Sequence, residues 1–169
     1  MRDLQRLRHN RRVRLTRTFA CPELQTLFTD IKDTAMATDL ETNKATVRQF
    51  FGAVERRDFK VFDQIVIEDY AHNIEGMPIG REGLKSYFSG LCGAVPDLTM
   101  PILDLISEGD TVMVRNRVRG THQGDFGPLK ATGKTFDIAA FHLYRLKGDR
   151  LAEHFEVVDM AALQAHLRS

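Results

Sequence analysis

The sequence predicts an α+β fold, helices first and strands after, on two observations. Between residues 41 and 92 the apolar side chains recur every three or four positions; between 98 and 158 they recur every two. The two regimes do not interleave. N-terminal helices packed on one side of a curved, mostly antiparallel sheet are the expected arrangement.

In chain order, the first stretch is MRDLQRLRHNRRVRLTR, with seven arginines in seventeen residues. Residues 1–35 carry eight Lys/Arg against four Asp/Glu, and residues 36–169 carry sixteen against nineteen. Residues 1–35 are therefore expected to form a basic, mobile N-terminal extension, and residues 36–169 the domain. Three origins compete for the extension: a basic arm for anionic partners, an organelle transit peptide, or sequence upstream of a start at Met36. The last is preferred, because Met36 is followed by a polar lead and then a helix, as at a natural N terminus. Residues 22–34 offer a short helix on Leu24, Leu27, Phe28 and Ile31.

Residues 41–56 read as a helix through Ala45, Val47, Phe50, Phe51 and Val54. Asp58 is placed to cap a second helix on Phe59, Phe62, Ile65 and Val66. Tyr70 to Glu75 is extended and closed by Gly76 and Pro78. Gly80 opens a third helix on Leu84, Tyr87, Phe88, Leu91 and Cys92, ending before Pro96. Strands follow at 98–107, 111–121, 135–146 and 150–158, with turns at Glu108-Gly109-Asp110 and Lys147-Gly148-Asp149. Met160 to Leu167 closes the chain as a helix, with Asp159 as its N-cap.

Composition narrows the function. The slightly acidic domain gives no electrostatic reason to expect nucleic acid, and no apolar run approaches a membrane span. The arginine-rich start has no following apolar segment and is not a secretory signal. Two cysteines, Cys21 and Cys92, are too few for a disulfide framework and fit a cytoplasmic location.

The last hairpin carries the chemistry. A three-residue turn at 147–149 pairs Leu146 with Arg150 and sets His142 opposite His154, with Glu156 the diagonal neighbour. A two-residue turn would instead move Glu156 to the other face. Ile138, Ala140 and Tyr144 share the His142 face and make it otherwise mostly apolar. Two imidazoles and a carboxylate on such a face point to proton transfer in a pocket. Phe141, Leu143, Phe155 and Val157 make the other face apolar too, so a homodimer through the sheet is expected. Arg115, Arg117 and Arg119 share one strand face as a solvated or interface stripe. His122 is expected to shape its own loop. No metal is expected, because only His142 and His154 are adjacent on rigid structure and a third ligand is not evident.

Several pieces in order carry a family resemblance: Asp69-Tyr70, Gly80-Arg81-Glu82-Gly83-Leu84, Val95-Pro96-Asp97, Glu108-Gly109-Asp110, Gly120-Thr121-His122-Gln123-Gly124, Thr132-Gly133-Lys134 and the run from Leu151 to Asp159. Over residues 42–167 the chain resembles the SnoaL-like polyketide cyclases of the nuclear transport factor two-like superfamily. The resemblance implies a cone-shaped α+β barrel with the ligand pocket between sheet and helices. It implies a cofactor-independent acid/base enzyme acting on a hydrophobic carbonyl compound, by intramolecular aldol closure or by isomerisation. By motif position the family's catalytic aspartate corresponds to Glu156, one methylene longer, and its pocket histidine to His142. His154, Tyr144, Ile138 and Ala140 would line the pocket, with His72 and Asn73 at its mouth. The alternative is a non-catalytic small-molecule-binding or stress-associated protein on the same fold.

Overall fold

A computed structural model describes residues 22–73, 76 and 79–168, with side chains from residue 39 onward. The basic run at 1–21 and Glu75 and Pro78 lie outside the described residues. The chain divides into two units, Met1–Thr34 and Ala35–Ser169, and the residues of the sheet and of the candidate site all belong to the second. Helix α1 spans Pro22–Arg56 without a break. The expected pause between residues 34 and 41 is absent because Ala35-Met36-Ala37-Thr38-Asp39-Leu40 contains no glycine or proline to interrupt it.

Val47, Phe50, Phe51, Ala53 and Val54 of α1 are buried. Two polar side chains on the same helix are buried as well, and each closes a turn. Asn43 donates through Nδ2 to the Gly109 carbonyl at 3.0 Å, and Thr46 through Oγ1 to the Asp149 carbonyl at 3.0 Å. These bonds tie α1 to the two hairpin turns and satisfy side-chain donors that burial would otherwise strand.

Asp58 stands at the start of the next turn, Phe59–Val61, but makes no side-chain capping bond. Helix α2 is a single turn, Phe62–Ile65. Val66, expected on that helix, instead begins strand β1, Val66–His72. The three- and four-residue spacing of Phe59, Phe62, Ile65 and Val66 is met by one helical turn and a strand start, which bury the same side chains. Helix α3 is Gly80–Ala94, and Leu84, Phe88 and Cys92 form its buried stripe. Strands β2 (Ile102–Glu108), β3 (Thr111–Thr121), β4 (Thr135–Lys147) and β5 (Arg150–Val158) follow, then helix α4 (Met160–Arg168). Residues 98–101 make one bridge, Thr99 to Arg119, and the strand proper starts later than expected. Asp159 caps α4 through Oδ1, which accepts from the Ala162 amide at 2.9 Å.

The sheet has five strands in the order β1-β5-β4-β3-β2. It is mixed: β1 runs parallel to β5 and the other pairs are antiparallel. β1 and β2 are its two edges, so the strands do not close into the expected barrel. No described helix is long and apolar enough to cross a membrane.

The register of the last hairpin differs from expectation in two compensating ways. Lys147 pairs with Arg150, so the turn is two residues, Gly148-Asp149, with Gly148 at a φ of 65°. Such loops favour glycine where φ is positive. Alone, that turn would put Glu156 on the outer face. Between Leu146↔Leu151 and Arg145↔Glu153 the ladder shifts by one, leaving Ala152 as an extra residue on β5. This bulge turns the rest of β5 over. His142 therefore lies directly opposite Glu156, and Tyr144, not His142, lies opposite His154.

Candidate active site

The inward face of β4 is an unbroken buried series: Phe136, Ile138, Ala140, His142, Tyr144 and Leu146. On β3 the matching positions are Val112, Val114, Asn116 and Val118; the first three are buried, with Asn116 wholly inaccessible. β5 adds His154 and Glu156. The parallel pairing of β1 with β5 sets His72 beside His154. Four strands thus bring His72, His142, His154, Glu156 and Asn116 into one cluster.

The hydrogen bonds within it fix their own direction. Asn116 donates Nδ2 to the Arg117 carbonyl at 3.2 Å, which leaves its Oδ1 facing His142 Nε2 at 3.1 Å. An amide oxygen only accepts, so His142 carries a proton on Nε2. His142 Nδ1 then faces His154 Nε2 at 2.9 Å and Glu156 Oε2 at 3.3 Å. His154 Nε2 is 3.8 Å from the same carboxylate oxygen.

Burial holds His154 well below the usual imidazole range, with His142 and His72 adding to the effect. Burial also lowers His72, although Glu156 opposes the shift. Both are neutral at pH 7. Burial raises Tyr70 and Tyr144 well above the usual phenol range and pushes Tyr87 up to about 12, so all three stay protonated. Tyr70 Oη and both ring nitrogens of His72 are buried without a hydrogen-bond partner among the described residues. Polar atoms in that position mark a place where a ligand or solvent group belongs.

A cavity of about 200 Å³ opens on this cluster. His142, Tyr144, His154 and Glu156 form its polar end, and Phe88, Leu91, Ile138, Val158 and Leu163 are among its apolar walls. Such a lining suits a hydrophobic molecule with one polar, reactive end.

Of the residues singled out in sequence, Glu156, His142, His154, Tyr144 and Ile138 line the cavity. Ala140 is fully buried on the same face. His72 lies behind His154, its ring centre 4.7 Å away. Asn73 does not join the cluster: its side chain is exposed, and its backbone amide bonds the His154 carbonyl at 2.9 Å, extending the β1–β5 pairing. The further potential metal ligands beside His142 and His154, not evident in the sequence, are Glu156 and His72. Sequence reasoning missed Asn116, although a lone polar residue in the Val112-Val114-Val118 stripe was its signal. His122 is buried and organises its loop, its carbonyl accepting the Thr132 and Gly133 amides. The three arginines pair with carboxylates, Arg115 with Asp104 and Arg117 and Arg119 with Asp137.

Residues 45–167 match the family described as SnoaL-like polyketide cyclase. No protein with a curated description matches the chain. Among solved structures, TsrD from Streptomyces laurentii is 24% identical at a TM-score of 0.68, covering 73% of this chain and 96% of its own. IdmH from Streptomyces antibioticus, a proposed polyketide cyclase, is 24% identical at a TM-score of 0.66, covering 75% and 99%. AclR from Streptomyces galilaeus, a proposed hydroxylase, is 25% identical at a TM-score of 0.67, covering 76% and 97%.

Proposed function

The chain belongs to the SnoaL-like polyketide cyclase family, and from that premise we propose that it is an acid/base enzyme acting on a hydrophobic carbonyl compound. The observation that carries this reading is Glu156, a carboxylate at the polar end of an apolar cavity, 3.3 Å from His142 Nδ1. In an intramolecular aldol closure, Glu156 takes a proton from a carbon beside a carbonyl. The enolate carbon attacks a second carbonyl carbon of the same molecule, and the resulting alkoxide takes the proton back. In an isomerisation the same proton returns to a different carbon. The His142–His154 pair supports either course by holding both rings beside the carboxylate, His154 Nε2–H donating to the Nδ1 lone pair of His142.

The test is α-proton exchange. A hydrophobic cyclic ketone in D2O, followed by NMR, should exchange faster with the protein than in buffer. Glu156→Gln should lower that rate by about 10²–10⁴, the contribution typical of a positioned acid or base, and Glu156→Asp should restore part of it. A second reading, a non-catalytic binding protein, draws on the contacts of Glu156 with His142 and His154, which would hold the carboxylate structurally. Saturable ligand binding without exchange would select it.

We also propose that two copies associate through the outer face of the sheet, where Ile106, Met113, Phe141, Phe155 and Val157 are exposed.

A further inference from the structure

We propose that His142, His154 and Glu156, with His72 as fourth ligand, form a binding site for a divalent transition-metal ion of the zinc class. Three donor atoms converge: His142 Nδ1, His154 Nε2 and Glu156 Oε2, with separations of 2.9, 3.3 and 3.8 Å. Ligand atoms on a tetrahedral ion with bonds of 2.0–2.1 Å stand about 3.3 Å apart, the middle of that range. A triangle with those edges has a point about 2 Å from all three corners, the length of a zinc–imidazole or zinc–carboxylate bond. Small rotations of the two rings would aim their lone pairs at it.

The surroundings favour ligation independently of that triangle. Asn116 accepts from His142 Nε2–H and so leaves Nδ1 as the lone-pair nitrogen facing the cluster. A ligating histidine ordinarily has its other N–H held in this way. His72, His154 and Glu156 can each bring a donor atom within 4.8 Å of the others. Both nitrogens of His72 are buried without a partner among the described residues. Imidazole and carboxylate together suit zinc, iron, cobalt or nickel; magnesium and calcium prefer all-oxygen sites.

The ion takes the lone pairs that the proposed proton transfer uses, so metal and proton transfer are alternative occupants of one site. The metal inference does not rest on the enzymatic reading. A protein without activity can bind the ion, and an active one can fail to.

Cobalt(II) titration of the full-length, EDTA-stripped chain at pH 7.5 tests the site. One equivalent should bind with the intense visible bands of a four- or five-coordinate ion, and zinc should displace it. Glu156→Gln and His72→Ala should each weaken binding at least tenfold, and Asn116→Leu by about 10–100-fold, as loss of such an outer partner does. Circular dichroism in EDTA confirms that each variant is folded; Glu156→Gln keeps the inquiry open if Asn116→Leu is not. Simultaneous replacement of His9 and His166 by alanine should leave cobalt binding unchanged. Only the weak spectrum of the hydrated ion with wild type, or binding that survives Glu156→Gln or disappears with the folded His9/His166 variant, overturns the proposal.

Discussion

At the scale of single residues, the cluster is held by two groups that burial strips of their ordinary behaviour. His154 is neutral in the fold, whereas the unfolded chain protonates it below a pKa of about 6.5. The unfolded state then binds more protons than the folded one, so stability rises with pH and levels off above that value. Chemical denaturation at pH 5.0 and 7.5 should show a loss at the lower pH of at most about 1.4 kcal/mol per pH unit from this residue. His154→Gln should flatten that dependence, leaving the smaller part due to His72. Asn116 acts through His142. Asn116→Leu leaves the Nε2–H of a buried imidazole without an acceptor and should destabilise the protein by about 1–3 kcal/mol, measured as a fall in the urea midpoint. An inward polar residue among valines was visible in the sequence; its partner was not, because the bond joins residues 26 positions apart.

At the scale of elements, the decisive feature is one extra residue. The strand pattern, the helix stripes and the Gly-Asp turns were legible because each depends on neighbours within a few positions. The register of β5 was not. A two-residue turn and a bulge at Ala152 together reproduce the inward placement expected from a three-residue turn, but shifted by two positions, so that Glu156 faces His142. Alternation alone cannot separate these solutions, since both bury the same side chains. The parallel pairing that brings His72 to His154 was likewise out of reach, because it depends on which sheet edge β1 takes. Deleting Ala152 removes the extra residue and leaves a regular two-residue hairpin in which Glu153 still pairs with Arg145, His154 with Tyr144 and Glu156 with His142. In that variant the residue-154 imidazole should stay buried and neutral by proton NMR, and activity or cobalt binding should be kept. An exposed histidine with both functions lost would mean that Ala152 is not the residue that absorbs the shift.

At the scale of the whole molecule, the two faces of the sheet divide the labour. The inner face holds the cluster and its cavity. The outer face carries Ile106, Met113, Leu143 and Phe155 in one cross-strand row, with Phe141 and Val157 paired in the next. Val157 is 72% and Ile106 66% exposed, in strands otherwise ordered by alternating burial. A contiguous apolar patch of this kind suits association, and the proposed dimer would bury it. Its rim carries both signs of charge, Arg115 with Asp104 and Arg145 with Glu153. A two-fold axis through the patch can therefore match cation to anion on both sides, which makes a second copy the fitting partner. The apolar row lies on the strands that bear the cluster, so the interface would also hold β4 and β5 flat beneath it. Val157→Arg places an unpaired charge on the most exposed side chain of the patch and should convert the dimer to monomer by light scattering. Its far-UV spectrum should be unchanged, because residue 157 points away from the core. A wild-type chain that is monomeric at the same concentrations would reject the dimer, and Val157→Arg would then leave the mass unaltered.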